Sequence, residues 1–205
     1  LASGVTMLVR ELSGPEGCQG MPLPPAAFSC VFPAISAALS GASFKDPNSK
    51  EALALYQPAT ALLALHTAPD VPYPRVDMLR LLLQSVLVQG PGTLHNLAAT
   101  LAVKLCLGLT NTDLPAVTGS LLSQHSRVRS ACLAGLTEAP VLQTHEEMDM
   151  DVVAYLYCAR SDTDEDNRAE AELAWSTYAY QVDTALCESL VKLLSISGVP
   201  HVRQS

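Results

Sequence analysis

Asp162, Asp164 and Asp166 place carboxylates at alternate positions, the pattern by which a calcium loop converges on one hard cation. Two required positions are wrong for that chemistry. Asn167 stands where the sharp turn needs glycine, and Leu173 where a bidentate glutamate belongs. The run therefore reads as a solvated turn between helices, its negative charge favouring the N-terminus of the helix that follows. His145-Glu146-Glu147 has the opening of a zinc-protease helix, but Asp149 occupies the place of the second histidine. His66, His95, His125 and His201 have no His, Cys or Asp at ligand spacing and read as surface or capping residues. A nucleophilic cysteine needs a base and an electropositive setting, whereas Cys106 and Cys132 fall on apolar helix faces. There is no G-x-S-x-G elbow, Walker loop or dinucleotide fingerprint, and the glycines at 14, 17 and 20 follow no strand. The expectation is a non-enzyme with no catalytic, cofactor-binding or metal-ligating residue and no cofactor.

One cluster of a different kind remains. His125, Arg127 and Arg129 gather at a single turn of an acidic chain, where they could touch phosphate on RNA, a contact that positions without reading sequence. The competing reading gives Arg129 to an arginine ladder inside the protein and leaves its neighbours solvated.

The elements that must position these residues are helical. Apolar residues return at helical spacing in segments closed by Gly, Pro, Ser or Asp, and no segment alternates like a strand for long. Leu1 to Leu12 leads into a Gly- and Pro-rich stretch, 13–26, read as an irregular loop that either bridges two helices or serves a partner. Helices then fall into pairs: Phe28 to Leu39 with Lys50 to His66, Arg75 to Val88 with Leu94 to Leu107, Leu114 to Ser123 with Val128 to Leu136, and Val152 to Ala159 with Arg168 to Tyr180. A last segment, Thr184 to Leu194, precedes a helix starting near Val202. Two helices recur roughly every 35 to 45 residues, the period of HEAT and armadillo arrays. Val128-Arg129, Arg168 and Val202-Arg203 open second helices at that spacing, and His95 stands where an earlier arginine would be. The fold class expected is all-α, a HEAT/armadillo-type α-solenoid of about four to five helix-pair repeats over one continuous stretch, 1–205. A first residue of Leu1 and a helical pattern running into Ser205 suggest a fragment of a longer chain.

Composition agrees with this reading. Of 205 residues, 49% are apolar but only 5% aromatic, so Leu, Ala and Val must fill the interior. A net charge of −8 opposes broad attraction to DNA or to an anionic membrane. The longest apolar run, Ala52 to Leu65, is interrupted at Gln57-Pro58 before it reaches a membrane-spanning length. The six cysteines lie far apart and read as buried thiols of an intracellular protein.

Four words in order carry a resemblance: Phe28 to Pro33, Pro74 to Leu82, Val128-Arg-Ser-Ala-Cys-Leu-Ala-Gly-Leu136, and Glu165 to Trp175. Together they resemble the general-control non-derepressible translational activators, very large eukaryotic HEAT-repeat proteins. The resemblance covers most of the chain from about Phe28 onward and implies a segment of the N-terminal half. It implies a cytoplasmic, non-catalytic scaffold in a protein that binds ribosomes and relays amino-acid starvation to the kinase of initiation factor two's α subunit. The kinase and an ABC-type partner would be bound through other regions. The alternative is a HEAT-repeat adaptor unrelated to translation that holds partner helices.

Overall fold

The computed structural model describes Gly4, Met7, Glu11 and residues 21–143, 149–178 and 180–196. All regular structure among these residues is helical. Gly4, Met7 and Glu11 are helical; the rest of Leu1 to Leu12, positions 13–20, His145 to Glu147 and the segment near Val202 lie outside the described residues. The chain divides into two compact units, Leu1–Gly108 and Leu109–Ser205.

In the first unit, α1 (Pro25–Ser40) starts on a proline, whose missing N–H costs nothing in a first turn and whose φ is already helical. It begins earlier than Phe28, so Pro25 and Ala26 belong to the helix and not to the expected loop. Phe28, Phe32, Ile35 and Leu39 form one buried stripe at helical spacing. Helix α2 (Lys50–Ala64) is capped by the Ser49 hydroxyl, which accepts from the Ala52 N–H at 3.2 Å. Its buried face is Ala52, Leu55, Tyr56, Ala59, Leu62 and Leu63, and it carries Pro58 within it.

The segment expected as one helix from Arg75 to Val88 is three consecutive pieces. Helix α3 (Arg75–Leu81) passes into a π-helical stretch, Leu82–Val86, and then into the short α4 (Leu87–Gln89). Leu81, Leu82, Leu83, Ser85, Val86 and Leu87 are all buried, a set too wide for one helical stripe. This stretch packs on α1 on one side and on α5 (His95–Cys106) on the other. The wider π turn resets the angular register so that apolar residues face both neighbours. Helix α5 adds a regular stripe of Ala98, Leu101, Ala102, Leu105 and Cys106. Arg75 clamps the preceding loop, its Nη2 donating to the Ala68 carbonyl at 2.6 Å and also to that of Val71.

In the second unit, α6 (Pro115–Thr118) continues as a 3-10 turn, Gly119–Leu122, and α7 (Ser126–Glu138) follows. Helices α8 (Met150–Ala159), α9 (Glu165–Thr177) and α10 (Thr184–Ile196) complete it. Helix α9 begins three residues before Arg168, because Asp164 caps it by accepting from the N–H groups of Asp166 and Asn167 at 3.1 and 3.3 Å. Helices α8 and α9 meet through Tyr157 and Trp175, whose ring centroids lie 5.3 Å apart, with the Arg160 guanidinium over both rings and paired to Glu172. No described helix is long and apolar enough to cross a membrane.

Candidate functional site

His125 is the N-cap of α7, and Arg127 and Arg129 lie in its first turn. The three side chains do not converge. His125 and Arg127 are exposed, whereas Arg129 is 4% exposed and turns inward. Arg129 Nε and Nη2 each lie 2.6 Å from a different oxygen of Asp162, a fork-on-carboxylate geometry. Its Nη1 donates to the Ser123 carbonyl at 2.8 Å and Nη2 also to the Thr163 hydroxyl at 3.3 Å. Four of the five Arg129 N–H groups are engaged in these bonds and the side chain is buried, so a surface contact there reduces to His125 and Arg127.

Asp162 corrects another expectation. It is 3% exposed, not solvated, and lies in the turn between α8 and α9. Besides Arg129 it accepts from the Asp164 N–H at 2.8 Å and the Asn167 side-chain amide at 3.3 Å. Burial by itself pushes the Asp162 carboxyl upward, but the Arg129 guanidinium and these two further donors outweigh burial and hold it below the usual carboxylate range. The bond to Asp162 raises the Arg129 guanidinium correspondingly.

Around this pair the α7 N-terminus is stitched to the α8–α9 turn. Ser126 donates its hydroxyl to Asp164 at 2.6 Å, which together with the Asn167 N–H lowers that carboxyl. Asn167 donates its side-chain amide to the Ser126 carbonyl at 3.4 Å and is itself buried. Arg168 stays local, donating to the Asp162 carbonyl at 2.6 Å. The three alternate aspartates thus have separate tasks: Asp162 holds an arginine, Asp164 caps a helix, and Asp166 is exposed. Spacing along the chain disclosed Arg129 but not Asp162, because a buried and a solvated aspartate look alike in sequence.

The other singled-out residues lie apart from this cluster. Cys106 is buried, and burial pushes its thiol up to about 12, which removes it as a nucleophile near neutral pH. Cys132 and Cys158 are buried too, but Cys30 and Cys187 are exposed, against the expectation for all six; Cys18 lies outside the described residues. His95 donates from Nε2 to the Gly90 carbonyl at 3.1 Å, a contact within its own turn and unlike the long reach of Arg129. His66 is buried in the first unit, not at the surface. Among the described residues no three His, Cys, Asp or Glu side chains gather where they could hold a metal ion.

The arrangement ties the start of α7 to the turn between α8 and α9. Over 195 residues the chain is 28% identical to the mouse protein called stalled ribosome sensor GCN1, a match that takes in 83% of this chain. The human protein of that name matches with the same identity and coverage. The eIF-2-alpha kinase activator GCN1 of Dictyostelium discoideum is 30% identical over 138 residues, 66% of this chain. The chain is related to a segment of GCN1. That segment is a small part of the whole: the chain spans 7% of the length of the mouse and human GCN1 proteins and 5% of the amoebal one. No family model and no solved structure matches the chain. Relatedness to GCN1 agrees with the family suggested by Phe28 to Pro33 and the three later words.

Proposed function

We propose that this chain is a non-catalytic scaffold segment, about four to five HEAT-type helix pairs from the N-terminal half of a GCN1-like activator that works on ribosomes in the cytoplasm. The carrying observation is the Arg129–Asp162 pair, a buried fork that fixes the start of α7 against the turn between α8 and α9. Such a bond sets the angle between consecutive helix pairs, which is what an array needs to hold a defined curvature. The names of the mouse and human relatives point to stalled ribosomes, and that of the amoebal relative to the eIF-2-alpha kinase. In this reading the segment transmits geometry, keeping regions before and after it at the separation that signalling to the kinase requires, while the kinase and an ABC-type partner dock elsewhere.

The test removes residues 28–204 from the full-length protein. Co-precipitation with the kinase and phosphorylation of initiation factor two's α subunit in starved cells are measured side by side. Retained kinase binding with poor phosphorylation is expected. Loss of kinase binding in a protein that remains folded and abundant would put the docking site inside this segment and overturn the reading.

A further inference from the structure

The stretch Met21-Pro22-Leu23-Pro24-Pro25 leads into α1, and its composition makes one residue decisive. Three of its five residues are prolines without an N–H, so after Met21 the only backbone donor before Ala26 belongs to Leu23. That N–H donates to Nε2 of His66 at 2.8 Å. The accepting Nε2 fixes the tautomer: the ring proton sits on Nδ1, which donates to the Leu62 carbonyl at 2.7 Å. The Leu23 carbonyl is held as well, accepting from the Tyr73 hydroxyl at 2.8 Å.

We propose that His66 is a proton-operated latch, fastening residues 21–24 to the first helices while its ring is neutral and releasing them when Nε2 takes a proton. Protonation puts a donor where Leu23 already presents one, so an attraction becomes a repulsion at the one N–H between Met21 and Ala26. The ring has little room to escape, stacked on Phe28 of α1 with centroids 4.0 Å apart and edged by Tyr73 at 5.0 Å. Around it lie Leu23 of the strap, Phe28 of α1, the Leu62 carbonyl of α2 and Tyr73 before α3. Tyr73 is the titratable one, and its hydroxyl is already given to Leu23. Arg75, two positions on, turns its guanidinium to the Ala68 and Val71 carbonyls. Burial lowers the affinity of the His66 ring for a proton, against the smaller opposing effect of the Leu62 carbonyl. A histidine held neutral in this way loses stability as pH falls from the unfolded value of about 6.5 towards the lower folded one, so release lies on the acid side of neutrality. The strap leads into α1, and the latch decides whether it is anchored there.

The experiment follows hydrogen exchange at the Leu23 amide in the whole chain from about pH 7.5 to about pH 4.5, corrected for the intrinsic pH dependence of exchange. Leu101 of α5 and Leu133 of α7 report on the two units. Protection at Leu23 should fall about tenfold or more with acid while both reporters hold, in step with the His66 ring followed by NMR. His66→Gln should abolish the pH step, and Tyr73→Phe should lower Leu23 protection but keep the step. Should His66→Gln fail to fold, the coincidence of ring titration and Leu23 exchange in the unaltered chain still decides. Protection at Leu23 that is constant to about pH 4.5, or that falls only together with Leu101, overturns the latch.

Discussion

Arg129 and Asp162 are each almost fully buried, with side chains 5% and 3% exposed, so neither charge can be left alone without penalty. Arg129→Ala should cost about 3 to 5 kcal/mol in denaturant unfolding, because it strands a buried carboxylate. Replacing both partners, Arg129→Met with Asp162→Leu, should cost clearly less than the sum of the single changes, and strict additivity would contradict a coupled pair. The same pair dictates an acid response. The folded Asp162 carboxyl lies below its unfolded value of about 3.9, so its contribution is fully present above that value and is lost as pH falls through the lower folded one. Unfolding measured between about pH 5 and about pH 2 should show a loss of stability that Asp162→Asn largely removes; an identical acid profile in that variant would contradict the assignment. Arg129 was singled out in the sequence by its spacing, and the structure shows it buried against Asp162. The bonds of Asp162, Ser126 and Asn167 were not legible there, because their partners lie 33 to 41 positions away and only the fold brings them together.

Helix positions were legible because apolar stripes and caps are local. Ser49 and Asp164 sit at observed N-caps, and the stripes of α1 and α5 repeat at the expected spacing. The π stretch was not legible, since a run of Leu81, Leu82, Leu83, Val86 and Leu87 fits any buried helix; its geometry follows from neighbours on two sides. Gly90 ends this segment, its N–H donating to both Ser85 and Val86 carbonyls at 3.2 and 3.0 Å. A Cβ there would sit 2.5 Å from the Val86 carbonyl oxygen, closer than backbone tolerates. Gly90→Ala should therefore destabilise the first unit by about 1 to 3 kcal/mol. An unchanged denaturation midpoint would contradict the tight closure of the π stretch.

At the scale of the whole molecule, all regular structure among the described residues is helical, and no three His, Cys, Asp or Glu side chains among them gather where they could hold a metal ion. Val191 and Leu194 of α10 are exposed at 67% and 39%, apolar surface that a stacking neighbour would cover in the array proposed above. The family words were readable at this scale because they are properties of the chain itself. Contact with a ribosome is a property of a complex, and the exposed pair His125 and Arg127 is all that the described surface offers at the turn first singled out. The most direct test of the scaffold reading is a density map of the full-length protein bound to stalled ribosomes. Helix pairs of this segment stacked without interruption onto pairs before and after it, with no enzyme-like domain between them, are expected. Density showing the segment as an isolated globular body, unstacked on both sides, would contradict it.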